Sequence, residues 1–165
     1  MEIRKTNPDD AEKLVVFLQS LAQENCETIP EVNFIPTIEE ERKWLIANDG
    51  ERGIVYVAIS KNDVVGMING SIPSKPEFNH TCEFGMSVLS SHRNQGLGSK
   101  LMQDFLKWSE KTNIEIVELN VFSNNLPALK LYKKYGFKVD GERIDVVKKG
   151  NRYLNLIHMS KRISA

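Results

Sequence analysis

The 165 residues suffice for about one domain, and a 41% hydrophobic content excludes a disordered tail or a collagen-like rod. Lysine plus arginine total 22 against 22 acids, and this zero formal charge argues against a general nucleic-acid binder. Apolar runs such as Ile54 to Ile59 fall far short of the ~20 residues of a membrane span, and no apolar run behind the N-terminal charges suggests a signal peptide. Two cysteines, Cys26 and Cys82, make neither a disulfide framework nor a metal quartet, so a reducing cytoplasm is the expected address.

In chain order, Met1 to Lys5 reads as a short strand. Asn7-Pro8 supplies an N-cap and a first-turn proline, and Leu14, Phe17, Leu18 and Leu21 follow at the spacing of one buried helical face. Thr37 and Glu40 form a capping box that opens a second helix, running to about Asn48-Asp49-Gly50. The period then changes. Ile54 to Ile59, the turn Lys61-Asn62-Asp63 and Val64 to Ile72 predict a hairpin, and His80 to Leu89 a third strand of the middle region.

After Gly96 the helical period returns, with Leu97, Leu101, Phe105 and Trp108 on one stripe. Ile114 to Phe122 reads as a strand. A helix from about Asn125 to Tyr135 is stopped by Gly136. Phe137 to Gly141 and Tyr153 to Lys161 are the last strands. The order β-α-α-β-β-β-α-β-α-β-β, with no linker or repeat, predicts one α+β domain over residues 1–165. Its sheet is mixed, mostly antiparallel and flanked by helices.

The chemistry concentrates where a strand meets a helix, at Ser90-Ser91-His92-Arg93-Asn94-Gln95-Gly96-Leu97-Gly98-Ser99. Glycines let the backbone turn and approach a ligand closely, and the free N–H groups of the following helix suit a phosphate. The dinucleotide pattern G-x-G-x-x-G would need glycine where Leu101 stands. A P-loop would need Gly-Lys-Ser/Thr, which does not occur.

What remains, Arg93-x-x-Gly96-x-Gly98, resembles the acetyl-CoA pyrophosphate loop Q/R-x-x-G-x-G/A of the GNAT superfamily of N-acetyltransferases. A second segment strengthens the resemblance. Val121, Asn125, Ala128, Leu131, Tyr132, Gly136 and Phe137 fit the family's V-x-x-x-N-x-x-A-x-x-L-Y-x-x-x-G-F. The element order is also the family's, so the resemblance covers essentially the whole chain. It implies acetyl-CoA as co-substrate, with its pantetheine arm on the backbone of a bulged fourth strand around Met86 to Val88. The amides of Arg93, Asn94, Gln95, Gly96, Leu97, Gly98 and Ser99 would hold the pyrophosphate, and Asn125 would touch the cofactor. Tyr132 would lie near the thioester sulfur.

Transfer of acetyl to an amine passes through a tetrahedral oxyanion and expels a thiolate. Backbone N–H groups can stabilise the first, and a phenol such as Tyr132 can protonate the second. The amine must be neutral to attack, which calls for a carboxylate acting directly or through water. Cys82, Phe84, Met86 and Val88 read as the core face of their strand, so Glu83 faces the other way and is the candidate base. Glu118 and Asn120 share a face of the next strand. His80, His92 and His158 have no metal-ligand spacing, and no metal is expected.

Charge is segregated: residues 1–50 hold 11 acids and 5 bases, and residues 138–165 hold 3 acids and 7 bases. Within the family the acceptor meets the loop after the first helix. The hypothesis is that Glu24, Glu27, Glu31 and Glu39 to Glu41 attract a cationic amine. The reading is an N-acetyltransferase for a small-molecule primary amine. Alternatives are a protein N-terminal or lysine acetyltransferase, and a non-catalytic acyl-CoA-binding regulatory module. The C-terminal strands could pair in a homodimer; neither nucleic acid nor membrane is expected as partner.

Overall fold

A computed structural model describes residues 1–163 of the chain. Strand β1 (Glu2–Lys5) leads to α1 (Ala11–Gln23) and α2 (Ile38–Ala47). The strands β2 (Gly53–Ser60), β3 (Asp63–Ser71) and β4 (Thr81–Val88) follow. Next come α3 (Leu97–Ser109), β5 (Ile116–Phe122), α4 (Leu126–Lys134), β6 (Lys138–Lys149) and β7 (Arg152–Arg162). All seven strands form one sheet in the order β1-β2-β3-β4-β5-β7-β6. Every neighbouring pair is antiparallel except β4–β5, so the expected mixed, mostly antiparallel α+β architecture is the observed one.

Local chemistry explains the elements. Asn7 and Asp10 cap the turn that leads into α1, and Thr37 and Glu40 cap α2 reciprocally. Lys61 and Asn62 both take positive φ, 49° and 72°, the geometry of a tight hairpin turn between β2 and β3. The apolar run of β2 is buried on both faces. Val55 and Val57 pack with Leu14, Phe17 and Leu21 of α1, while Ile54 and Ala58 pack with Leu101 and Phe105 of α3. Helices α1 and α2 therefore cover one face at β1–β3, and α3 and α4 cover the other. The first face is left open where it reaches β4 and β5: Glu83, Gly85 and Asn120 are exposed there.

Two expectations need correction. The last hairpin is far longer than the periodicity predicted, with β6 reaching Lys149 rather than Gly141. Every residue from Lys138 to Val146 is exposed, and only Val147 and Lys149 beyond them are half-buried, so no sustained alternation of buried and exposed residues marks the strand. The register also breaks at Val139/Gly141 and Arg143/Val147, with Asp145 at φ 56°. The other correction concerns the bulge implied for the fourth strand, since β4 pairs β3 without interruption from Gly66↔Val88 to Ser71↔Glu83. Among the described residues, no helix is long and apolar enough to cross a membrane.

Candidate active site

The site begins with a gap in the sheet. Strands β4 and β5 pair only at Thr81↔Ile116, Cys82↔Val117 and Glu83↔Glu118, then diverge. Leu89 N–H donates to Val65 C=O. Because an antiparallel ladder alternates, the backbone groups of Met86 and Val88 point away from β3 and into the gap. Divergence of two strands, rather than a bulge in one, exposes this backbone.

At the end of β4 the chain turns through Asn94 (φ 60°) and Gly96 (φ 77°) into α3. The amides of Asn94 to Ser99 find no acceptor among the described residues, as expected where a helix begins. The amide of Arg93 differs, since it donates to Ser90 C=O at 3.3 Å. The Arg93 guanidinium is spent on structure: Nε donates to Val88 C=O at 2.8 Å and a terminal nitrogen meets Glu24 Oε2 at 2.7 Å. Glu24 Oε1 also accepts from Ser90 N–H at 2.7 Å. Arg93 thus fastens the loop after α1 to the turn before α3.

A cavity of about 330 Å³ opens over this turn, lined by the loop residues together with Met86, Val88, Asn125 and Tyr132. A Cβ built on Gly96 would meet nothing within 4 Å, so that backbone faces open space. One built on Gly98 would meet Leu131 at 3.3 Å and Met86 at 3.5 Å, so glycine lets α3, α4 and β4 converge. Unpaired amides, the positive end of a helix dipole and a bare glycine backbone fit a pyrophosphate.

A second cavity of about 340 Å³ lies against β4 and the loop after α1, reaching Met67, Asn120 and Leu156. Thr28, Ile29, Met86, Ser87, Asn125 and Tyr132 line both cavities. Asn125 caps α4 by accepting from Ala128 N–H at 3.3 Å, and its own amide nitrogen donates to no described residue. Tyr132 is 7% exposed, and its ring stands edge-on to Phe84 and Phe137 at 5.7 and 6.0 Å. Its hydroxyl has no partner among the described residues, and burial pushes its pKa up to about 12. Cys82, on the core face, is likewise pushed up to about 12, by burial first and by Glu118 and Glu83 second, and is inert.

Glu83 stands exposed on the open face of the sheet, outside the lining of the second cavity. Asn120, which does line that cavity, donates to Glu83 Oε1 at 3.4 Å. Sequence reasoning set aside His158, yet its Nδ1 lies 3.2 Å from Asn120 Oδ1 and its Nε2 lies 3.4 Å from Glu118 and 3.8 Å from Asp140. Alternation along β7 could have found it, since His158 pairs Asn120 directly.

The acidic residues thought to attract a cation divide sharply. Glu24 pairs Arg93, Glu27 pairs Arg152 at 3.1 Å and Glu31 pairs Lys149 at 3.5 Å. Glu39 pairs Arg42, and Glu40 caps its own helix. Glu41 alone has no side-chain partner among the described residues, although it is 5% exposed.

The comparisons with known proteins agree with this geometry. The model of the acetyltransferase (GNAT) family matches residues 18–137. The L-amino acid N-acetyltransferase AaaT of Escherichia coli is 32% identical over 106 residues, covering 64% of this chain and 65% of that protein. A GNAT-family acetyltransferase structure from Streptococcus pneumoniae superposes with a TM-score of 0.93 over 99% of both chains at 23% identity. The structure of yncA from Salmonella typhimurium, which contains acetyl-CoA, superposes with 0.87 at 21% identity over 100% of this chain and 95% of that one. With the order of its elements, its helix-opening glycine turn and nearly three quarters of its length matched by one family model, the chain belongs to the GNAT family of N-acetyltransferases.

Proposed function

We propose that this protein transfers acetyl from acetyl-CoA directly to the primary amine of a small molecule. The observation that carries this reading is the wall of six residues shared by the two cavities. One cavity suits a pyrophosphate, the other flanks the open sheet face, and Tyr132 belongs to the wall they share. Bound acetyl-CoA supplies the acetyl thioester.

The amides from Asn94 to Ser99 hold the pyrophosphate, with Arg93 anchoring the turn. The backbone of Met86 and Val88 receives the pantetheine arm, and Asn125 adds a donor from its free amide nitrogen. In the transfer the amine nitrogen forms a bond to the acetyl carbon, and the carbon–sulfur bond breaks. One proton leaves the nitrogen toward Glu83, through water beside Asn120, and the expelled thiolate takes one proton from solvent. Burial disfavours the phenolate, so the Tyr132 hydroxyl keeps its proton. Tyr132 therefore stabilises the departing sulfur by donating a hydrogen bond while remaining protonated.

A small acceptor is favoured over a peptide because Arg152–Glu27 and Lys149–Glu31 tie the last hairpin to the loop beside the acceptor cavity. The related AaaT is named for L-amino acids, which also present a primary amine. For assembly we propose a homodimer joined at the β6 edge, where Val139, Ile144 and Val146 are exposed.

Thiol release from acetyl-CoA, followed across a panel of amines, tests the activity. Wild type is expected to turn over a subset of them, and Tyr132→Phe to lose about 100-fold in kcat with acetyl-CoA affinity kept. Tight acetyl-CoA binding with no release on any amine would overturn catalysis in favour of a binding module.

A further inference from the structure

Helix α2 brings one carboxylate into an apolar cavity. The helix starts at Ile38 because Thr37 and Glu40 form its capping box, and that phase turns Glu41 inward with Leu45. Glu41 lines a cavity of about 460 Å³ together with Leu18, Phe34, Trp44, Met67 and Asn69. The other carboxylate there, Glu40, is bonded to Thr37 N–H at 2.8 Å and to its hydroxyl at 3.0 Å. No lysine or arginine lines the space. A buried carboxylate normally finds a partner; the Glu41 carboxylate has neither a hydrogen bond nor an ion pair among the described residues. Its oxygens are not sealed from the cavity, and burial raises its pKa.

Leu18 and Met67 line this cavity and the acceptor cavity alike, so the two are neighbours across those side chains. A cation entering from the acceptor side would meet a carboxylate that no other group competes for, among walls that include the aromatic rings of Trp44 and Phe34. Every other acid of the N-terminal third considered for recognition is already engaged. We propose that Glu41 is a specificity residue that seats a second, positively charged group of the acceptor, making the preferred substrate a dibasic amine. This proposal rests on the acetyl-transfer reading above.

The test compares α,ω-diamines of increasing length with monoamines of matched length, in wild type and Glu41→Gln. The diamine is expected to have a KM at least tenfold below that of the monoamine. Glu41→Gln is expected to raise only the diamine KM, by tenfold or more, leaving kcat and the monoamine KM within about twofold. Equal KM values in wild type, or a variant that affects both amines alike, would overturn the proposal. A second arm needs no turnover: diamine binding is followed by the fluorescence of Trp44, with Trp44→Phe identifying its share of the signal from the two tryptophans. Binding seen in wild type and lost in Glu41→Gln supports the cation seat even if no amine is acetylated. Turnover of amines without diamine binding or preference overturns the seat and leaves the acetyltransferase reading intact.

Discussion

Glu41 and Asp10 are both buried carboxylates, and they make stability depend on pH in opposite directions. Asp10 accepts two hydrogen bonds from Arg4, at 2.7 and 2.8 Å, which with the Asn7 amide outweigh burial and hold its pKa below the usual carboxylate range. Its contribution is present at neutral pH and is lost as pH falls through that lowered value. Glu41 has no such partner, and burial raises its pKa. Its contribution is complete below the ordinary value near 4.5 and is lost as pH rises through the raised one. Glu41→Gln is therefore expected to stabilise the free protein at pH 7 by about 1 kcal/mol, a rise in Tm of ~2–4 °C. Thermal melts of both proteins should converge near pH 4; equal Tm values at pH 7 would contradict the assignment. The position was partly legible in the sequence: a helix begun at Thr37 puts residue 41 one turn before the apolar Leu45, on the inward stripe. Its lack of a partner was not, because pairing joins elements far apart in the chain.

The turn before α3 was the most legible element, because its glycines answer to local geometry. Gly96 needs its left-handed φ, and Gly98 needs to lack a side chain where Leu131 and Met86 close in. Gly96→Asp adds a side chain only into open space, and aspartate bears the strain of that φ better than most residues, so the fold is expected to survive at some cost in stability. The new carboxylate would face the proposed pyrophosphate seat. Calorimetric titration with acetyl-CoA is expected to give at least 100-fold weaker binding than wild type, with an unchanged circular dichroism spectrum. Element lengths were less legible. The outer half of β6 has only Val147 and Lys149 half-buried, too few to impose a period of two over its length, and its pairing with β7 holds it as a strand.

Across the whole molecule, the charge segregation seen in the sequence has an internal use. Acids of the loop after α1 meet bases of the last hairpin at Glu27–Arg152 and Glu31–Lys149. Both acids are mostly exposed, so these pairs orient more than they stabilise. Linear sequence displayed the imbalance but not that its two halves face each other. The same hairpin leaves β6 as a free edge with apolar side chains in water. Sedimentation velocity is expected to report a dimer, and Ile144→Asp combined with Val146→Asp to convert it to a monomer; a wild-type monomer would contradict that assembly. The parting of β4 from β5 has a mechanical side as well. Strands β1–β4 and β5–β7 are two leaves of one sheet, joined across three residue pairs at one end and held ajar at the other. Zipping the ladder two residues past Glu83 would abolish the slot while leaving every side chain in it unchanged. Inactivation by mutation can therefore arise from too much sheet as readily as from too little.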